Sequence, residues 1–361
     1  MGLGPQNLWP DFQIPKVLAI QQADFFLDLN LLPREHITGE LRVPSLPPNT
    51  HTRCKITVEK QVAEGRFSFI HHIKRLTAAE TGPTQPLCVK IPKNAQNSIC
   101  AEALVQWICS RALAAAGIHG AIPQVYDIYR FVDQTRFTME YIEGKSAIDT
   151  LYTSPTPDTT WLQIFAQAAL ILGYLEEHVR LDHRDLKADN LWIRPKPVSY
   201  TLKVGGVTWH IDAPFQVVFL DFGYACIGNE DGLAAVTLID RELPLIDPCP
   251  KEGRDLFQLL GCVLSIPAVK ARFSAEMVAE MELFLQYRGA NYGKLVHHIY
   301  VIYGTAADKR FRLPPLHPIS VLERLAHEWY PTAGVSVVTS KAVSPITFLS
   351  SRPNSARPSS G

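Results

Sequence analysis

The stretch Asp182-His183-Arg184-Asp185-Leu186-Lys187-Ala188-Asp189-Asn190 decides the reading of this chain. Thirty-one residues past Asn190 comes Asp221-Phe222-Gly223, fed by the apolar run Val217-Val218-Phe219-Leu220. The pair of motifs supplies one carboxylate for acid–base work (Asp185), an amide oxygen (Asn190) and a second carboxylate (Asp221). Amide and carboxylate oxygens are the donors a hard divalent cation takes. A chance acidic loop is a poor account of them, because the second motif sits where a short buried strand ends.

Around that site lie 361 residues with 35 basic and 35 acidic side chains. That length suits one two-lobed domain or two ordinary ones. A hydrophobic content of 47% with 19% charged residues fits a folded soluble protein. Zero net charge argues against a nucleic-acid footprint over the whole chain. The seven cysteines are irregularly spaced and form no C-x-x-C pair. They predict reduced thiols and an intracellular protein, in cytoplasm or nucleus. The N-terminus has no basic region followed by an apolar core, so no signal peptide is expected. Met1-Gly2 is not followed by a myristoylation site, since Gln6 stands at the Ser/Thr position. The longest apolar stretch, residues 164–175, is broken by Gln167 and is too short to span a bilayer. It reads as a buried helix, and no membrane partner is expected.

Residues 1–50 are proline-rich and weakly periodic, and read as an extension with apolar residues able to dock. From Cys54 the pattern turns strand-like, with Cys54, Ile56 and Val58 alternating, then Phe67 and Phe69 after Gly65. Leu87 to Ile91 is a further strand stopped by Pro92. Ala101, Leu104, Val105 and Ile108 recur at helical spacing up to Gly117. Strands near 125–131 and 136–142 complete a β-rich first lobe over 51–142. Residues 143–330 are mostly helical, led by a long apolar helix over 161–178. Within them Gly205-Gly206 joins strands 200–204 and 207–211 as a two-residue hairpin. Later helices are expected over 256–264, 275–287 and 319–328. Residues 331–361 read as a tail, its last dozen disordered. The fold class is thus α+β, with two lobes.

H-R-D-L-x-x-x-N with D-F-G resembles the eukaryotic protein-kinase family over about residues 55–330. The resemblance implies ATP between the lobes, Mg2+ as cofactor, and phosphoryl transfer to a Ser or Thr hydroxyl of a protein substrate. Lys187 makes the loop look more like the Ser/Thr than the Tyr members. Asp185 then orients the acceptor hydroxyl and takes its proton, and Lys187 offsets charge at the γ-phosphate. Asn190 and Asp221 hold the metal. Lys90 lies inside its strand and meets the α- and β-phosphates, with Lys93 as competitor. Glu102, the one acid between Lys90 and Asp127, is its ion-pair partner, a better account of that residue than a favourable charge near a helix N-terminus. Thr138-Met139-Glu140-Tyr141-Ile142-Glu143-Gly144 looks like the hinge. Met139 backs the adenine, and backbone groups of Glu140 and Ile142 bond its edge. Gly65 alone survives of a glycine-rich phosphate loop.

Three departures qualify the resemblance. The Asn190–Asp221 segment is long, loosely similar in layout to the haspin group and to divergent viral kinases. No A-P-E triplet follows, and only 31 residues separate Gly223 from Asp255, which opens a helix similar to the family's central one. Arg184 is of the kind that answers to an activation-segment phosphate, yet residues 224–254 offer only Tyr224 and Thr237 as hydroxyls. Glu230, Asp231 or Glu242 are candidate fixed partners, and activity without such a phosphate is favoured. Two other classes stay open: a small-molecule phosphotransferase of kinase-like fold, and a catalytically weak scaffold.

Overall fold

The computed structural model describes residues 40–45, 50–65, 67–77, 86–94, 99–131, 134–228, 234–237, 249–251, 253–285, 292 and 316–338. The fold is α+β, with a β-rich lobe preceding a mostly helical one.

In the first lobe, strands β1 (Glu40–Ser45), β2 (Thr50–Glu64), β3 (Ser68–Thr77), β4 (Leu87–Pro92), β5 (Val125–Phe131) and β6 (Gln134–Glu140) close a barrel in the order β1-β2-β3-β4-β6-β5. Helix α1 (Cys100–Ala115) lies between β4 and β5 in sequence. It buries Leu104, Val105, Ile108 and Ala112, the face its apolar spacing predicts. The expected extension over 1–50 needs correcting at its end. β1 pairs with β2 through Glu40↔Lys55 and Ser45↔Thr50, so residues 40–45 belong to the barrel. Residues 1–39 lie outside the described residues.

The second lobe opens with β7 (Lys145–Ser146), α2 (Ala147–Thr153) and α3 (Pro157–Val179). Sixteen of the 23 residues of α3 are buried, so it is covered on every side and forms the lobe's axis. No described helix is long and apolar enough to cross a membrane. Arg180 ends α3 in the left-handed conformation (φ 58°) and turns the chain into β8 (Leu181–Asp182). After the loop over residues 183–190 come β9 (Leu191–Arg194), β10 (Val198–Val204), β11 (Val207–Ala213), β12 (Gln216–Phe219), β13 (Cys226–Gly228) and β14 (Ala234–Thr237).

Helices α4 (Arg254–Ser265), α5 (Pro267–Lys270), α6 (Ala275–Leu285) and α7 (Pro318–Glu328) follow, then β15 (Val335–Val337). β10 and β11 form the hairpin expected at Gly205-Gly206, both glycines having positive φ (62° and 79°). At Gly205 a Cβ would lie 2.3 Å from Ile319 Cδ1, so glycine there also lets α7 approach.

Two expectations are overturned in this lobe. The tail does not begin at 331: β15 pairs with β11, Val335 opposite Ile211, and Val335 is fully buried. A three-residue strand carries too little pattern to announce itself before its partner hairpin is known. The disordered dozen lies outside the described residues. Nor are all thiols reduced: Cys226 and Cys249 form a disulfide, while Cys88, Cys109 and Cys262 are free. The two cysteines meet because β13 and the run before α4 both fold back on β8, which spacing along the chain does not reveal.

Candidate active site

The loop over residues 183–190 hangs from the helical lobe by its backbone. Asp255, in the first turn of α4, accepts hydrogen bonds from His183 N–H (2.7 Å) and Arg184 N–H (2.9 Å). Both amides are buried, so the carboxylate satisfies donors that would otherwise cost stability. Burial and the neighbouring Asp182 push the Asp255 carboxyl above its usual range, against those two donors. Arg184 adopts a left-handed turn (φ 64°) directly before Asp185. Asp185 is then held from two sides. Lys187 Nζ donates to its Oδ2 at 2.9 Å, and Asn190 Nδ2 donates to its Oδ2 (3.1 Å) and backbone oxygen (2.8 Å). Half-buried Lys187 would titrate lower by desolvation, but Asp185 outweighs this and raises it.

Ladder geometry brings Asp221 to the same place. β9 and β12 are antiparallel with Leu191 opposite Phe219, so Asn190 and Leu220 follow at the ladder's end. Leu220 N–H donates to Asn190 O at 2.8 Å. The long excursion through β10 and β11 therefore starts and ends at one point, and its length leaves the site closed. Asp221 stands in a left-handed turn (φ 61°), half-exposed, with Oδ1 2.9 Å from Lys90 Nζ. Lys90 also pairs with Glu102 of α1, which makes one bridge from β4 to α1 and to the second lobe. The Lys90 ammonium holds the Asp221 carboxyl down, at about 2. Burial would lower Lys90 itself, yet the carboxylates of Glu102 and Asp221 raise it. Burial pushes the Glu102 carboxyl up.

His183 packs behind this turn, its ring 4.9 Å from that of Phe222. Burial lowers its pKa, against the nearby carboxylates of Asp185 and Asp221. Its Nε2 lies 3.1 Å from Leu220 O, an acceptor only, so Nε2 carries the proton.

Lys93, the competitor of Lys90, faces elsewhere. Its ammonium pairs with Glu64 and lies 5.0 Å from the Phe69 ring, and its N–H donates to Phe67 O (2.8 Å). These contacts fix the hairpin where a glycine-rich loop stands in the resemblance. Gly65 N–H donates to Ser68 O at 2.8 Å. A Cβ on Gly65 would meet nothing closer than 3.7 Å, so the turn itself does not demand glycine. Phe67 at the tip is exposed and its ring lies 6.4 Å from that of Tyr224.

At the hinge, Glu140 ends β6 and its N–H donates to Gln124 O; Tyr141 N–H donates to Pro86 O, both at 2.9 Å. Ile142 is buried just beyond. Gln106 Nε2 steadies Met139 Sδ at 3.5 Å.

Three residues of this site escape sequence reasoning. Cys88 shares the strand face of Lys90 two residues on, and its Sγ lies 3.8 Å from Glu140 O. The period-2 parity with Lys90 is the signal that finds it. Arg194 Nη2 meets Glu140 Oε1 at 2.6 Å and ties β9 to the hinge. Asp182 is buried, with Oδ2 accepting Lys251 N–H at 3.1 Å and lying 3.3 Å from Arg254 and 3.8 Å from Arg184. An acid that faces Arg184 is thus inside the loop's own run; Glu230, Asp231 and Glu242 lie outside the described residues.

The donor set suits magnesium. Asn190 spends its Nδ2 on Asp185, and its backbone oxygen accepts from Leu220 N–H, the residue before Asp221. No group of three or more His, Cys, Asp or Glu fit for a metal occurs among the described residues. An ion held by two protein oxygens completes its shell from phosphate and water, the usual magnesium arrangement. A separate surface concavity of about 510 Å³, lined by Pro197, Val198, Ser199, Asp212, Ala213 and Pro214, shares no residue with this site.

No family model matches the chain. A stretch covering 99 residues, 27% of the chain, is 23% identical to 19% of "Probable kinase 098L" of Invertebrate iridescent virus 3. The match thus spans about a fifth of that relative's length. Among solved structures, the autoinhibited serine kinase domain of the giant muscle protein titin covers 75% of this chain and 79% of its own, at 12% identity and a TM-score of 0.38. The viral likeness read from the sequence has a counterpart in the iridovirus protein, and neither of these two proteins is described as haspin-type. The fold is α+β, and the relative matched over 99 residues is described as a probable kinase.

Proposed function

We propose that the chain transfers the γ-phosphate of ATP, with Mg2+, to a Ser or Thr hydroxyl of a protein. The observation that carries the reading is Lys90 bridging Glu102 and Asp221, across 131 residues of sequence, over a loop that presents Asp185. Lys90 is placed to meet the nucleotide's inner phosphates. Asn190 and Asp221 would hold magnesium, which supplies charge neutralisation at the phosphates. Asp185 takes the acceptor's hydrogen bond, aims its oxygen at the γ-phosphorus and receives its proton late in transfer. Lys187, already on Asp185, faces the charge that builds on the transferred group.

A second reading is favoured by one feature. Only 31 residues lie between Gly223 and Asp255, a short platform for a peptide, so the acceptor is a small metabolite in that reading. Incubation with γ-labelled ATP, a degenerate peptide library and a metabolite panel separates the two. Label in Ser- or Thr-containing peptides supports the first. Label confined to metabolites replaces it with the second, and label in neither leaves a scaffold.

A further inference from the structure

The chain leaves Asp221 and returns to its own starting point before α4. Cys226 and Cys249, 23 residues apart, are joined by a disulfide, and both are fully buried. The two ends it joins also rest on residues 180–182, which lead into the catalytic loop. Gly228 N–H donates to Arg180 O at 3.0 Å. Cys226 stands opposite Asp182 in the β13–β8 ladder. Lys251 N–H and Arg254 both meet the Asp182 carboxylate. At Gly228 the two ends run so close that a Cβ would lie 1.8 Å from Cys249 O.

We propose that Cys226 and Cys249 form a reversible redox site: oxidised, the pair clamps residues 249–251 onto 180–182; reduced, it lets them go and loosens the catalytic loop. The consequence for phosphoryl transfer rests on the function proposed above, but the clamp does not. The oxidant is a low-molecular-weight disulfide of the glutathione class. One cysteine thiolate attacks it and expels a glutathione thiolate, and the second attacks the mixed disulfide and expels another. Two electrons pass to glutathione, and the two thiol protons pass to solvent. Reduction by a dithiol is the reverse. Because both sulfurs are buried, exchange waits for the segment to lift, and the site responds slowly.

Loss of Lys251 from Asp182 then leaves a buried carboxylate short of a donor, which is how the change reaches Asp185 three residues on.

The test uses the full chain equilibrated with oxidised glutathione or with dithiothreitol. Alkylation under denaturing conditions should count two more thiols in the reduced sample. Hydrogen exchange over 180–186 and 249–256 should run about tenfold faster when reduced, as local opening is no longer held by the crosslink. Transfer should fall by about the same factor, and Cys226→Ser and Cys249→Ser should stay in the reduced behaviour in both buffers. Equal thiol counts overturn the site. A changed count with unchanged exchange overturns the clamp and leaves an inert staple. Exchange that follows the redox state while neither sample transfers phosphate upholds the clamp and overturns the kinase reading.

Discussion

Lys90 is the residue on which the site turns. It touches Glu102 and Asp221, whereas Lys93, three residues on, is spent on Glu64. Lys90→Met should therefore lower phosphoryl transfer by about a hundredfold, as loss of a charge aimed at phosphate does. Lys93→Met should change it only severalfold, through the loop hairpin. Rates from labelled ATP check this, and the opposite ranking would show that the strand register at β4 is wrong. Asp221 gives a pH signature. Its folded carboxyl titrates at about 2, below the ordinary value of 3.8. The ionised form is thus the one the fold favours. Its contribution is complete above about pH 4 and is lost as pH falls through about 2. Urea midpoints measured from pH 5 to 2 should fall less in Asp221→Asn than in the parent over that window; parallel curves would contradict the Lys90 pairing. At this scale much was legible. Asp185, Lys187, Asn190 and Asp221 stand in two short motifs whose residue types name their chemistry. Asp182 was not legible, because its role depends on Lys251 and Arg254 arriving from a distant part of the chain.

Among the elements, periodicity succeeded where an element has a long buried face. The strand expected over 87–91 and the helix expected at 161–178 are both present, as β4 and within α3. It failed where pairing partners decide. β15 has three residues and owes its place to β11, which presents Trp209 to Ile211 as its register. β1 owes its place to β2 in the same way. Val335 is fully buried at the start of β15. Val335→Asp should destabilise the protein by about 3 kcal/mol, since an unpaired charge there has no solvent. Chemical denaturation measures this, and a parent-like midpoint would restore the disordered tail in place of a strand.

As a whole, the molecule is two lobes joined across one cleft. Among the links between them are the hinge backbone, the Glu140–Arg194 pair, the Lys90–Asp221 pair, the Phe67–Tyr224 ring contact and the hydrogen bond from Phe219 N–H to Ala121 O. Arg194 joins β9 to Glu140 at the end of β6, and Lys90 joins β4 to Asp221, so both lobes contribute residues to the site. Fold class was legible because β-rich and helical patterns occupy separate halves of the chain. The acceptor was not, because it depends on the segment before α4, where motif gives way to a disulfide and a buried aspartate. The central claim is that this cleft transfers phosphate through Asp185 and Asp221. It is tested most directly by γ-phosphate transfer from labelled ATP with magnesium, for the parent, Asp185→Asn and Asp221→Ala, each shown to be folded by circular dichroism. The parent should label an acceptor, and both variants should fall by at least about a hundredfold. Folded variants that transfer as fast as the parent would contradict the account.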